Sequence, residues 1–423
     1  MTRDLPDPAA PTRLSAPWLR APAAQAVAAA LAAGGARSWF VGGCVRNALL
    51  GAGATDIDMA TDARPEDTMR LLSAAGLRAV PTGIEHGTVT AVHKGVGIEA
   101  TTLRADVATD GRRAVVAFTD DIARDAARRD FTMNALYCTP EGDLVDPLGG
   151  LPDLRARRVR FIGDAQQRIR EDFLRILRFF RFHAWFGDPG GGIDPEGLAA
   201  CAAEAEGIER LSRERIGAEM KKLLAAPDPA PALCAMAACG ALMRAAPGLE
   251  AQAIAPLVAA EQAAGVAPSW SRRAAAGMAA GRAATGAFPD GPGLGLAEAW
   301  RLSRAEARGL ERIAECLSAA EPPAIAAWRH GAEPARDAAL IAAAGAGALL
   351  TPAAAAALEA EIARGAAAAF PVTARDLIAR GVEPGPALGA ALNRLQAAWL
   401  AADFAPDKAA LLASIPEGGA GEA

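Results

Sequence analysis

Apolar and polar positions follow two different rhythms along this 423-residue chain. Within residues 38–137, short apolar stretches alternate with helical periodicity, and Thr88–Val92 and Ile98–Leu103 have the composition of strands. Beyond Asp153 the strand signals fade and helical periodicity continues almost to the end. The pattern predicts an α+β domain followed by a long all-helical region.

Five segments show the periodicity and end signals of helices. They are Gln25–Ala33 with a stop at Gly34-Gly35, Glu66–Ala75, Glu171–Trp185, Arg213–Leu224 and Ala232–Leu242. Residues 1–24 are rich in Pro and Ala and are predicted to form a loose arm. From about residue 250 the chain reads as alanine-rich helices broken by Gly and Pro.

Composition removes several classes of protein. A net charge of -5 argues against a uniformly basic nucleic-acid-binding protein, although it permits a local basic surface. The six cysteines form no Cys-x-x-Cys pair and the four histidines are scattered, which favours reduced thiols over a zinc site or disulfides. The longest apolar run, Ala338–Leu350, is shorter than the roughly 20 residues of a spanning helix. With no signal pattern at the N-terminus, these features predict a cytoplasmic protein without membrane association.

The stretch Trp39–Asn47 reads as a strand that enters a glycine turn and then a helix. Gly42 and Gly43 allow the backbone to approach a ligand closely, and amides at a helix start favour anions. Arg46, on the first turn, is placed to bind a phosphate. An isolated Gly-Gly pair is usually an ordinary turn, but the aspartates that follow favour phosphate binding.

Asp56 and Asp58 stand two residues apart on a predicted strand, so their carboxylates point the same way and Ile57 points into the core. Two carboxylates beside a phosphate-binding turn indicate metal-assisted chemistry on a nucleoside triphosphate, and hard oxygen ligands select Mg²⁺. The alternative is a solvated strand end. Glu99, on the strand Ile98–Thr102, either joins the site, faces water or pairs with Arg104.

Two arginine-rich stretches complete the candidate site. Arg128 and Arg129 precede an apolar segment and could hold triphosphate oxygens, although adjacent arginines are often only a solvated surface. In the predicted helix from Glu171, an aspartate and three arginines recur every third residue: Asp172, Arg175, Arg178 and Arg181. They either pair with one another or present an acceptor and donors to the edge of a nucleobase.

Together these residues resemble the class II CCA-adding tRNA nucleotidyltransferases and the related bacterial poly(A) polymerases. The matching stretches fall within residues 38–245 and are Val41–Arg46, Asp56–Asp58, Arg129–Leu136, Asp146–Gly150, Glu171–Arg178 and Leu211–Ile216. The resemblance implies a polymerase-β-like catalytic head at 25–152, a helical neck at 153–250, and a helical body and tail at 251–423 that bind tRNA.

The resemblance also implies roles for individual residues. Asp56 and Asp58 would bind Mg²⁺, and Asp172 with Arg175 would read the base of incoming CTP or ATP. The triphosphate or ribose would be held by Gly43, Arg46, Arg129, Arg178 and Arg181. The implied activity is addition of CCA to the 3′ end of tRNA, with release of pyrophosphate. Poly(A) polymerase, CC-only or A-only addition and a non-catalytic RNA-binding protein are the alternatives, and the oligomeric state is left open.

Three further features bear on the resemblance. Asn47 stands where the family usually has aspartate. Asp110–Arg113 resembles the family's flexible loop, whose presence accompanies addition of the terminal A, although Asp-Gly is also an ordinary hairpin turn. Ala374–Leu377 with Glu383–Gly389 resembles a C-terminal element of some bacterial members, although a helix that starts at a proline explains it equally well.

Overall fold

The computed structural model describes residues 13–53, 56–110, 113–285, 294–347 and 349–415. Its strands, numbered β1 to β9, are Ser38–Val41, Asp58–Thr61, Arg78–Gly83, Thr88–His93, Val96–Thr102, Arg104–Asp110, Arg113–Phe118, Tyr137–Cys138 and Leu144–Val145. Its first eleven α-helices, α1 to α11, are Pro22–Ala33, Gly43–Leu49, Pro65–Ala74, Ile122–Ala127, Leu151–Arg155, Ala165–Glu171, Leu174–Phe186, Pro195–Ala203, Arg213–Leu224, Ala230–Ala238 and Ala241–Ala245.

Helices alone continue from there, as the fading strand signals predicted. They are α12 to α21, at Ile254–Ala264, Trp270–Thr285, Leu294–Ala299, Arg304–Ala319, Pro323–His330, Ala332–Gly345, Pro352–Ala367, Ala374–Ile378, Pro386–Ala401 and Lys408–Ala413. The predicted α+β class is therefore confirmed. In the described residues, no helix has both the length and the apolar content needed to span a membrane.

The chain divides into two compact units, residues 1–247 with 299–301, and residues 248–298 with 302–423. The first unit contains a seven-stranded sheet of order β3-β4-β5-β2-β1-β8-β9 and a separate β6-β7 hairpin. In the larger sheet only the central β2-β5 pair is parallel, whereas β1 pairs with both β2 and β8 in antiparallel fashion.

Strand β1 shows how alternating side chains build two layers. Trp39 and Val41 face a core that includes Leu103 and Tyr137. Phe40 faces the other side, where it lies edge-on to Trp18 at 5.0 Å between ring centroids.

The prediction of a loose arm over residues 1–24 is wrong for the described residues 13–24. Leu14 and Leu19 are buried, and α1 already begins at Pro22. The Gln25 side chain donates to the carbonyls of Leu19 and Pro140, which ties the segment to the first unit. The apolar residues spaced among the prolines supply contacts that the Pro and Ala content concealed.

Three predicted elements have different bounds in the structure. Strand β2 begins at Asp58, so Asp56 precedes the strand and Ile57 is only half-buried. The predicted helix Glu171–Trp185 is two helices, because α6 ends at Glu171 and Asp172 has an extended backbone, with φ -155° and ψ 105°. The predicted helix Ala232–Leu242 is likewise divided, since Gly240 adopts a positive φ of 76° between α10 and α11. By contrast, α9 has the predicted bounds Arg213–Leu224.

In the second unit, apolar faces of α12, α13, α15 and α17 share a core that contains Leu257, Ala276, Ile313 and Leu340. A separate core lies nearer the end of the chain around Leu377, Leu395 and Trp399. There α20 starts at Pro386 after Gly385, as the simpler interpretation of that stretch predicted.

Candidate functional site

A cleft of about 680 Å³ lies in the first unit, at the β1 and β2 region of the sheet. It brings together most of the predicted site residues: Gly43, Arg46, Asp58, Arg129, Asp172, Arg175 and Arg178. Asp56 and Arg181 flank it, since the charge of Asp56 acts on Asp58 and Arg181 stacks on the lining residue Phe182.

Backbone geometry at the start of α2 explains the two glycines. Gly42 has φ 73° and ψ -121°, a conformation that side-chain-bearing residues rarely adopt. A Cβ atom at this position would lie 3.7 Å from Nη1 of Arg129. The turn thus carries the chain close to an arginine of the cleft.

Three carboxylates converge at the sheet end of the cleft. Asp58 on β2 and Glu99 on β5 are direct partners in the parallel ladder, and both line the cleft. Loss of hydration raises the pKa of Asp58, and the nearby charges of Glu99 and Asp56 raise it further. The alternative in which Glu99 joins the site is therefore the one that the register favours.

The side chains of this cluster suit a metal ion that the substrate also helps to bind. In the part of the chain that the structure describes, no group of three or more Asp, Glu, His or Cys side chains is arranged to hold a metal by itself. Mg²⁺, however, usually binds through one or two carboxylates together with substrate phosphates and water. The carboxylates of Asp56, Asp58 and Glu99 are hard oxygen donors, and their mutual repulsion contributes to the raised pKa of Asp58. A divalent cation bound between them would relieve that repulsion.

A buried carboxylate that sequence reasoning missed fixes Arg129. Asp125 Oδ2 accepts hydrogen bonds from Arg129 Nη2 at 3.0 Å and from the Tyr137 hydroxyl at 2.7 Å, and Arg128 pairs with Oδ1 at 2.7 Å. Burial acts to raise the pKa of Asp125, but Arg129, Arg128 and the Tyr137 hydroxyl outweigh it and lower the pKa to about 2. Arg129 is thereby held in place at the glycine turn.

Arg46 occupies a second, largely neutral network. Its Nη1 donates to Asn134 Oδ1 at 2.6 Å, and its Nη2 donates to Asn47 Oδ1 at 2.9 Å. Asn47 therefore accepts from Arg46 as an amide, without the charge that an aspartate would bring. Burial lowers the pKa of Arg46 to about 10, and the positive charges of Arg181 and Arg178 contribute.

Arg178 and Arg181 are paired with buried acids. Arg178 donates to Asp130 Oδ2 from Nε at 2.8 Å and from Nη2 at 2.5 Å. The other oxygen of Asp130, Oδ1, accepts a hydrogen bond from Asn134. Arg181 Nε donates to Glu219 Oε2 at 2.5 Å. Asp130 lay within a recognised motif, whereas nothing in the sequence pattern singled out Glu219.

The predicted ridge of Asp172 and three arginines on one helix is wrong at its first member. Asp172 lies at the break between α6 and α7, where Oδ1 accepts from the Leu174 amide at 3.1 Å. Its other oxygen accepts from Arg215 of α9 at 2.7 Å. Arg175 instead donates from Nη1 to Glu171 at 2.6 Å and to the carbonyl of Arg168. Among the described residues, no hydrogen bond or ion pair joins Asp172 to Arg175, and both residues line the cleft.

The mixed sheet presents a glycine turn and carboxylates to a cleft that arginines line, and helices follow the sheet in the chain. These features define a polymerase-β-like nucleotidyltransferase head that is followed by an all-helical region. Residues 38–160 match the Poly A polymerase head domain, and residues 192–252 match the probable RNA and SrmB-binding site of polymerase A. Over these stretches the chain is similar to the class II CCA-adding enzymes and the bacterial poly(A) polymerases.

Named relatives are similar to this chain over less than half of its length. Human mitochondrial CCA tRNA nucleotidyltransferase 1 is 47% identical over 186 residues, which are 44% of this chain and 43% of that protein. A CCA-adding enzyme of Levilactobacillus brevis is 42% identical over 197 residues, 46% of this chain and 48% of that protein. The chain therefore spans less than half the length of these curated relatives.

Solved structures extend the likeness over nearly the whole chain. The Bacillus stearothermophilus CCA-adding enzyme in complex with CTP has a TM-score of 0.73 and 29% identity, covering 92% of this chain and 94% of that one. The Thermotoga maritima CCA-adding enzyme complexed with tRNA shares the fold, with a TM-score of 0.65, 19% identity and coverage of 92% and 94%.

Proposed function

We propose that this chain adds CCA to the 3′ end of tRNA from CTP and ATP and releases pyrophosphate. The observation that carries the proposal is the meeting of the Asp58 and Glu99 carboxylates with Arg46, Arg129 and Arg178 in one cleft. Relatives named CCA-adding enzymes support it. A cytoplasmic location, predicted from the sequence, belongs to the same proposal.

The chemistry follows from positioning and charge. The 3′-hydroxyl of tRNA attacks the α-phosphate of the nucleotide in line, and pyrophosphate leaves. Mg²⁺ bound by Asp56 and Asp58 would supply activation of the hydroxyl and neutralisation of the leaving group. Arg46, Arg129 and Arg178 orient the triphosphate, with Gly43 allowing its close approach.

Selection between CTP and ATP is assigned to Asp172 and Arg175. A carboxylate accepts and a guanidinium donates at the edge of a base, and Arg175 makes both described hydrogen bonds through Nη1, one of its several donor groups. Arg215, which holds Asp172 Oδ2, would fix the orientation of the reading carboxylate.

Substituting Arg175 by Ala should blur the choice between CTP and ATP more than it weakens triphosphate binding. The variant removes donors from the base edge and leaves Arg46, Arg129 and Arg178 in place. Competition between the two nucleotides on a tRNA ending in CC measures the effect, and a preference for ATP that falls about tenfold or more is expected. Unchanged selectivity would refute base reading by Arg175.

The decisive test of the function is the sequence of the product. The protein is incubated with MgCl₂, CTP, ATP and a tRNA transcript that lacks its 3′ CCA. Termination after C-C-A is expected. A long A tail, above all on unrelated RNA, would identify a poly(A) polymerase, and a stop after CC or addition of A alone would identify a partial enzyme. No extension at all would leave a non-catalytic RNA-binding protein.

The helical second unit is assigned to tRNA binding, because a substrate of that size needs a surface beyond the cleft. Contacts to phosphates would make the affinity fall with salt and depend little on RNA sequence.

A further inference from the structure

One aromatic ring lies at the centre of the arginine cluster. The guanidinium carbons of Arg46, Arg178 and Arg181 lie 5.1, 5.3 and 4.5 Å from the centroid of Phe182. Arg46 also stacks over Phe186 at 4.0 Å. Phe182 is 4% exposed and is part of the cleft lining, so its ring and the bound ligand would share the same three cations.

The cluster contains more positive charge than its described acids offset. Asp130 pairs with Arg178 and Glu219 pairs with Arg181, whereas the described hydrogen-bond acceptors of Arg46 are the neutral amides of Asn134 and Asn47. The face of an aromatic ring carries negative charge density and attracts guanidinium groups, most strongly where water is excluded. Phe182 therefore offsets the mutual repulsion of arginines that α2 and α7 bring together.

We propose that Phe182 is a positioning residue: its ring holds Arg46, Arg178 and Arg181 together so that they bind the triphosphate of the incoming nucleotide as one cationic group. This inference rests on the proposed nucleotidyl transfer. It adds a residue whose side chain carries no charge and makes no hydrogen bond to the phosphates. A third acidic residue in place of Phe182 could also hold these arginines, but its charge would compete with the triphosphate for them. An aromatic ring attracts them without adding a negative charge.

The test compares Phe182→Leu with a matched variant of the same helix, Phe180→Leu. Phe180 is fully buried and its described ring contact is with Phe179, so its loss perturbs packing without touching the arginines. We expect F182L to raise the KM for CTP and the Kd for inorganic tripolyphosphate about tenfold or more, with a smaller change in kcat. F180L should lower the melting temperature and leave both binding constants unchanged.

A second series keeps the packing nearly constant and reduces the negative charge density on the face of the ring, which is what attracts the guanidinium groups. Phenylalanine with one, two or three ring fluorines is incorporated at position 182, and tripolyphosphate affinity should fall stepwise with fluorine number. Constant affinity across the series, or unchanged affinity in F182L, would overturn the inference. If the unsubstituted protein adds no nucleotide to tRNA, the proposed function fails, while the tripolyphosphate measurements still decide whether Phe182 organises the anion site.

Discussion

Substituting Asp58 by Asn is expected to slow nucleotide addition by about a thousandfold or more and to leave the fold intact. Metal ions supply several kcal/mol of transition-state stabilisation, and each step of about 1.4 kcal/mol is a factor of ten in rate. Asp58 begins β2 beside Glu99, and no other described strand places a carboxylate opposite it in the ladder. Asp56→Asn should have a loss of the same order. Single-nucleotide incorporation into tRNA lacking CCA measures both.

The stability of the variant supplies a readout that does not depend on activity. The folded-state pKa of Asp58 is raised by lost hydration and by Glu99 and Asp56. A carboxyl with a raised folded-state pKa contributes most to stability below its unfolded pKa, and that contribution is lost as the pH rises through the folded value. At neutral pH the ionised group therefore destabilises the fold, so D58N should melt slightly higher than the unsubstituted protein in metal-free buffer.

Addition of MgCl₂ should then stabilise the unsubstituted protein more than D58N, because only the former retains both aspartates for the cation. Asp67→Asn serves as the matched control, since Asp67 is an exposed aspartate on α3 that pairs with Arg70. It should change neither rate nor metal response. D58N activity within tenfold of the unsubstituted rate would refute the metal-binding role.

Glu99→Gln settles the question that the sequence left open. If Glu99 shares the cation, the rate should fall by more than tenfold. If Glu99 only raises the pKa of Asp58 by repulsion, the rate of the E99Q variant should change little and its melting temperature should rise, as for D58N.

Local signals predicted much of the first unit. The apolar strand Ser38–Val41, the Gly42-Gly43 turn and the helix that follows appear where the pattern placed them, because each rests on residues close in sequence. The ordered motifs also indicated the resemblance to the CCA-adding enzymes, which a single motif would not have done. Most of the predicted site residues converge in one cleft, although they are distributed from Gly43 to Arg178 along the chain.

What the sequence could not predict depends on partners distant along the chain. The helix break at Asp172 is stabilised by Arg215, which is 43 residues away. Asp125 looked like one acid among several, and only folding places it between Arg129 and Tyr137. The predicted loop Asp110–Arg113 includes residues 111 and 112, which lie outside the described part of the chain. Its role in adding the terminal A therefore stays a prediction.

The second unit contains a buried network of ion pairs that the sequence pattern did not predict. In a region that reads as featureless alanine-rich helix, Glu261 on α12 accepts from Arg272 at 2.7 Å and from Arg273 at 2.7 Å, and Arg272 also pairs with Asp337 of α17 at 2.6 Å. All four residues are at most 5% exposed. The network joins three helices that share one apolar core.

Substituting Glu261 by Ala should destabilise the second unit by about 3–5 kcal/mol. Removing Glu261 deprives Arg272 of one of its two acidic partners, and Arg273 loses two hydrogen bonds from Nε and Nη2, which leaves excess positive charge in a buried network. For a unit of this size the melting transition should fall by on the order of 10 °C. Calorimetry and urea unfolding of the whole chain measure the change.

The matched control is Glu361→Ala, which breaks the exposed pair of Glu361 with Arg364 on α18 in the same unit. Water screens that pair and solvates Arg364 after the substitution, so its loss should affect stability much less. Nucleotide binding in the cleft should survive in E261A at temperatures below the transition, because the carboxylates and arginines of the cleft belong to the first unit. A change in unfolding free energy below about 1 kcal/mol in E261A would show that the rest of the network compensates for the missing carboxylate. The buried charges would then contribute little to the stability of these helices, and apolar packing around Leu257 and Leu340 would account for it.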